Sequence, residues 1–141
     1  MSFAFRIREM DDSDHEFVIR TWTRTNATVQ TRASPAYYEK EQPKAIAEVL
    51  SFHPIVFGLV ATPPDEPTLI CGWGVFDDAR RVVHYVFVKS AYRRCGVARA
   101  LVEKALPGSE PRFHSHLPAR VAGNRIALST SAWRYNGYLF I

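Results

Sequence analysis

The sequence predicts a mixed α/β fold on one sheet that is partly antiparallel and holds at least one parallel crossover. Three observations carry this. Apolar runs of strand length alternate with segments of helical spacing, in the order strand, helices, three strands, helix, strand, helix, strand. Residues 55–60 and 68–76 flank the turn-forming Pro63-Pro64-Asp65-Glu66-Pro67 and read as an antiparallel hairpin. Val82-Val83-His84-Tyr85-Val86-Phe87-Val88 is almost continuously apolar, as in a central strand covered on both faces. A helix at 96–106 and a strand at 112–117 follow it and complete the crossover, for which a right-handed path is expected.

The elements follow in order. Phe5-Arg6-Ile7-Arg8 alternates apolar and polar and reads as a short strand. Asp11, Asp12, Ser13 and Asp14 are helix-starting residues, and a helix runs on through Phe17, Val18, Arg20, Thr21 and Trp22. Residues 23–34, rich in Thr, Asn and Ser, read as irregular. Ser34-Pro35 puts a proline in the first turn of a second helix, which Pro43 interrupts before it resumes through Ile46, Val49 and Leu50. The helix at 96–106 carries Val97, Leu101, Val102 and Ala105 on one side, and Pro107-Gly108 ends it. Residues 118–129 have helical character, and residues 133–140 form a closing strand. The 141 residues contain no internal repeat and match the size of one domain, residues 1–141.

Composition narrows the class. At 47% hydrophobic and 23% charged residues the chain has globular rather than disordered composition. No apolar run reaches the roughly 18 residues of a membrane span. The N-terminus meets a charge at Arg6, which is not a signal-peptide pattern. The two cysteines, Cys71 and Cys95, sit inside patterned elements and read as reduced thiols, so a cytoplasmic protein is expected. The formal charge is +4, with arginine pairs at Arg80-Arg81 and Arg93-Arg94. Such a balance suits a solvated surface, and it also permits a phosphate-bearing ligand or a nucleic acid without arguing for either.

The stretch from Val82 to Ala105 carries the chemistry. A buried strand ends at Val88, and Arg93-Arg94-Cys95-Gly96-Val97-Ala98 leads into a helix. Unpaired amides at a helix N-terminus, with the helix dipole, favour a phosphate there. Gly96 and the small Ala98 allow close approach, and two arginines can fork onto phosphate oxygens. This stretch resembles the diphosphate-binding motif of the GCN5-related N-acetyltransferase (GNAT) family, Arg/Gln-x-x-Gly-x-Gly/Ala, here Arg93-x-x-Gly96-x-Ala98 in register from Tyr85 to Leu101. The order of the other elements fits the family as well. Gly72-Trp73-Gly74-Val75, His84 to Lys89, and Trp133-Arg134-Tyr135-Asn136 look most similar to small phage-encoded members.

The resemblance implies a mixed, mostly antiparallel sheet of about six strands with about four helices. It implies acetyl-CoA as co-substrate, no metal, and acetyl transfer to an amine by direct attack in a ternary complex. The acceptor would be a small molecule or a protein amine, and the chain a monomer or homodimer. Amides from Arg94 through Cys95, Gly96, Val97 and Ala98 to Arg99 would hold the diphosphate, and the edge of Phe87 and Val88 would pair with the pantetheine arm. Cys95 could be a reactive thiol at a helix start or could contribute only its N–H.

A base and an acid remain to be found. His84 is a polar group in an apolar strand, with an ordinary pKa of about 6.5 that suits proton transfer. It is read either as the base or as a core histidine satisfied by a backbone carbonyl. The family's acid is usually a tyrosine on the helix after the fifth strand, and residues 118–126 have none. Tyr135 and Tyr138 in the closing strand are the alternatives, unless both are core aromatics. Ser115 could bind pantetheine or substrate, or be an ordinary strand serine. His114 and His116 would share one strand face, but no further ligand has metal-site spacing. Trp22, Arg24, Tyr37 and Tyr38 belong to the region bordering the acceptor cleft in the family, and Trp22 by its spacing reads as core. Two other functions stay open: modification of nucleobases in DNA, although no basic stripe interleaved with aromatics is evident, and CoA binding without turnover.

Overall fold

The computed structural model describes residues 4–29, 40–108, 112–114 and 133–135. The strands β1 (Arg6–Glu9), β2 (Val56–Thr62), β3 (Gly72–Asp77), β4 (Val82–Val88), β5 (Arg112–His114) and β6 (Trp133–Tyr135) form one sheet in sequence order. Pairing is antiparallel from β1 through β4 and parallel from β4 to β5 and from β5 to β6. The expected parallel crossover is therefore present, and α3 (Val97–Ala105) lies within it. With α1 (His15–Val29) and α2 (Gln42–Leu50), three α-helices stand among the described residues. The fourth expected helix, at 118–129, lies outside them. No described helix is long and apolar enough to cross a membrane.

Local chemistry explains each start. Asp11 caps the 3-10 turn Asp12–Asp14 ahead of α1: its side chain accepts from Ser13 N–H (2.9 Å), while Asp14 accepts from Asp11 N–H (2.9 Å). Helix α1 continues to Val29, past the point where the Thr-rich stretch was expected to become irregular. The hydroxyls of Thr21 and Thr25 bond back to Phe17 O and Thr21 O, each at 2.8 Å, so these polar residues are satisfied within the helix. Pro43 lies in the first turn of α2, where a missing N–H costs no helical bond, and the helix start expected at Ser34-Pro35 lies outside the described residues. β3 starts later than expected, at Gly72, because Leu69 N–H closes a turn onto Glu66 O.

Helices cover both faces of the sheet. On one face Val18 and Trp22 of α1 and Ile46, Val49 and Leu50 of α2 pack on Trp73, Val75 and Tyr85. On the other, Val97, Leu101, Val102 and Ala105 of α3 pack on Leu59, Ala61, Phe76 and Val83. β3 is consequently buried along its whole length, and Trp22 is core, as its spacing indicated. Gly74 leaves the space that the Phe76 ring fills, since a Cβ there would lie 2.4 Å from Phe76 Cζ. α1 is fastened to the sheet by polar links as well: Trp73 Nε1 donates to Thr21 Oγ1 (3.0 Å), and Tyr85 Oη and Thr25 Oγ1 share a hydrogen bond of 2.8 Å.

One ion pair ties β1 to the start of α1. Arg8 donates through both terminal nitrogens to the two oxygens of Asp14, each at 2.8 Å, and Asp14 is buried. Burial pushes the Asp14 carboxyl up, but the bonds from Arg8 and from Asp11 N–H outweigh it and hold it below its usual value. Its contribution is therefore complete above the unfolded carboxylate pKa and is lost as pH falls through the lower, folded value. Asp14→Ala should cost about 2–3 kcal/mol in urea unfolding at pH 7. That cost should shrink toward the acid end, and a cost that does not change with pH would show that the pair contributes nothing.

Candidate functional site

The site is built where β4 gives way to α3. Lys89 N–H donates to Cys71 O (2.9 Å), which carries the sheet one residue past Val88. A 3-10 turn over Ser90–Tyr92 follows. Arg93 is then extended, and its Nε donates back to Val88 O (3.1 Å). Arg94 and Gly96 both have positive φ, 64° and 83°, so the chain reverses sharply before Val97. Val97 is buried on the sheet and anchors the helix start.

This geometry leaves a row of amides without backbone acceptors among the described residues. The N–H of Ala100 is the first to reach a helical acceptor, Gly96 O at 3.0 Å. The amides of Val97, Ala98 and Arg99 precede it and have no partner within the helix. Among the described residues the amides of Arg94, Cys95 and Gly96 have no backbone acceptor either. Gly96 is the N-cap of α3 and no side chain caps that end. Among the described residues, and apart from its chain neighbours, a Cβ placed on Gly96 would meet nothing within 4 Å, so the space beside this turn is open. Arg93, Arg94 and Arg99 are exposed around it. Cys95 is partly buried against the α3 face of the core, with Sγ 3.5 Å from Arg93 O. The arrangement can hold a diphosphate through amide hydrogen bonds, the dipole of a nine-residue helix and flanking guanidinium groups.

The neighbouring strand shows why its edge is special. Phe87 and Val88 pair on one side with Trp73 and Gly72 of β3. On the other side, among the described residues, β4 pairs with β5 only at Val82 and Val83. The Phe87 side chain packs toward α1, edge-on to Phe17 with ring centroids 6.2 Å apart, and Val88 packs toward α3. Lys89 Nζ stands 5.1 Å from the Phe17 ring centre, which brings one more cation to the strand end.

His84 sits in an irregularity that no local pattern announced. Val75 opposes Tyr85 and Phe76 opposes Val83, so β3 advances one residue while β4 advances two. His84 is the extra residue of this bulge. It is 1% exposed. Burial, reinforced by the Arg80 cation and opposed by the Asp77 carboxylate, lowers its pKa to about 4. The imidazole is thus neutral throughout the physiological range. The sequence reading did not single out Asp77, and it noted Arg80 only as part of the arginine pair Arg80-Arg81. Nothing local marks Asp77 as buried, yet it is 2% exposed.

The remaining candidates divide plainly. Tyr135 lies on β6 opposite His114 of β5, which in turn opposes Val83. Strand spacing places its backbone about 10 Å from β4, level with the bulge. Ser115, Tyr138, His116, Tyr37 and Tyr38 lie outside the described residues. Among the described residues, no group of three or more His, Cys, Asp or Glu side chains is placed to hold a metal ion.

A scan against protein-family models finds no match, and no curated protein matches the sequence. Solved structures do match. A GCN5-related N-acetyltransferase from Kribbella flavida superposes with a TM-score of 0.53 at 21% identity, over 72% of this chain and 62% of that one. A possible acetyltransferase from Clostridium difficile 630 gives 0.56 at 14% identity, over 94% and 78%. Apo-form YjaB from Escherichia coli gives 0.53 at 22%, over 73% of this chain and 65%, just under two thirds, of its own length. At such identities the shared property is the backbone architecture. The chain has a GNAT-like fold, and its loop of amides without backbone acceptors lies where β4 runs into α3.

Proposed function

We propose that this chain is an N-acetyltransferase that moves an acetyl group from acetyl-CoA to an amine by direct attack in a ternary complex. The observation that carries this reading is the open space beside the turn at Gly96, on a fold shared with acetyltransferase structures. The amides from Arg94 to Arg99 hold the diphosphate, and Arg93, Arg94 and Arg99 neutralise it. The backbone of Phe87 and Val88 aligns the pantetheine arm, with Ser115 as a further contact. Acetyl-CoA supplies the thioester carbonyl that the amine attacks. His84, neutral at pH 7, accepts a hydrogen bond and then a proton from the amine. Tyr135 or Tyr138 returns a proton to the departing thiolate. The likeness to phage-encoded members bears on origin rather than on chemistry.

The test is calorimetric titration with CoA and acetyl-CoA, followed by CoA release with a panel of small amines and peptide N-termini. Binding in the micromolar range, about −8 kcal/mol, is expected, with turnover on at least one amine. His84→Ala should lower kcat by about 100-fold or more, the usual range for a lost acid–base group. Absence of heat with both ligands would remove the reading. Heat without turnover on any amine would leave a CoA-binding module.

A further inference from the structure

The turn between β3 and β4 holds a buried charge that the chemistry above does not use. Asp77 ends β3 opposite Val82, the first residue of β4. Its Oδ1 accepts the backbone N–H of Arg80 (3.0 Å), and its Oδ2 accepts Arg80 Nε (2.7 Å). The carboxylate is 2% exposed while the Arg80 side chain is 41% exposed, so the pair reaches from the core edge to the surface. A carboxylate is seldom buried at a turn that a neutral asparagine could cap equally well through the same backbone bond. The register places this pair two residues along the chain from the bulge at His84, on the neighbouring strand and its turn.

We propose that Asp77 and Arg80 are positioning residues for His84: they lock the turn that sets the bulge, and together they balance the charge around the imidazole. The proposal rests on the reading of His84 as proton acceptor. Asp77 alone would draw a proton onto His84, and Arg80 alone would repel one. With the two charges bonded to each other their effects oppose, and burial is left to keep the ring neutral. On β5, Arg112 donates to Leu106 O and Gly108 O (2.9–3.1 Å) and is engaged there. Among the described residues, Asp77 and Arg80 are the charged groups that act on His84.

The consequence is a pair of opposite displacements. Arg80→Gln removes the cation and leaves the carboxylate, so His84 should titrate higher by on the order of half a pH unit or more. Asp77→Asn keeps the backbone cap and removes the anion, so His84 should stay neutral to lower pH than in the wild type. Long-range nitrogen–proton NMR of the imidazoles, with His84→Gln to assign the signal, reads both without requiring turnover. Arg80 is exposed enough for its variant to keep the core, and that variant alone decides. A His84 that is unmoved in Arg80→Gln, or that titrates lower there, overturns the proposal. The acid limb of kcat/KM should follow the NMR displacement. If the NMR signal moves and the limb does not, His84 is not the proton acceptor, although its tuning by the pair stands.

Discussion

Gly96→Val should weaken CoA binding by about 100-fold or more while lowering stability by only about 1–3 kcal/mol. The two effects have separate causes. Gly96 caps α3 at φ 83°, where any side chain carries a backbone penalty. Apart from its chain neighbours, no described residue lies within 4 Å of the added Cβ, so no other segment clashes with it. The valine methyl groups would instead stand in the open space beside this turn, near the amides of Val97 and Ala98. Any ligand held by those amides must lose hydrogen bonds or move outward. Gly96→Ala should fall between, at roughly tenfold, because one methyl fills less of the same space. Calorimetry with CoA and thermal unfolding on the same samples measure both quantities. Wild-type affinity in a folded Gly96→Val protein would show that this corner holds no diphosphate.

Stability should drop by about 3 kcal/mol between pH 6.5 and pH 4 through His84 alone. In the folded chain its pKa is about 4, against 6.5 as the reference for an exposed imidazole. As pH falls through 6.5 the unfolded chain takes up a proton that the folded chain refuses. The unfolded state then binds more protons, and stability decreases with falling pH until the folded imidazole also titrates. Below about 4 no further loss comes from this group. The window lies above that of the Arg8–Asp14 pair, whose carboxyl is lowered and whose loss comes at more acid pH. Urea unfolding at intervals from pH 7 to pH 4 should give a slope for the wild type that His84→Gln lacks. Parallel curves for the two proteins would show that His84 is not held neutral by burial. The same low pKa predicts that kcat/KM shows no limb at pH 6.5 from this residue. It also makes the imidazole a weak base, which favours an amine that arrives already neutral.

The sequence carried the fold a long way because its strong signals were local. Val82–Val88 has the expected bounds, since a continuous apolar run can be satisfied only by cover on both faces, and α1, α2 and α3 supply that cover. Val97, Leu101, Val102 and Ala105 form the buried stripe of α3, because their spacing leaves them one common face. Where the reading went wrong, a local rule was outweighed by a contact with another segment. The threonines from residue 23 onward suggested an irregular stretch, yet Thr25 bonds to its own helix and to Tyr85 of the sheet.

The candidate site divides in the same way. The loop proposed to hold a diphosphate was legible because its parts are neighbours in the chain: a strand end, two arginines, a glycine and a helix start. The environment of His84 was not legible, because it depends on a one-residue slip between β3 and β4 and on a carboxylate from the preceding turn. A side chain's proton affinity follows from what surrounds it in space, and those groups come from strands whose register no single segment encodes. Local order thus determined the loop proposed to hold a phosphate, and only the packed sheet decided the charge state of His84.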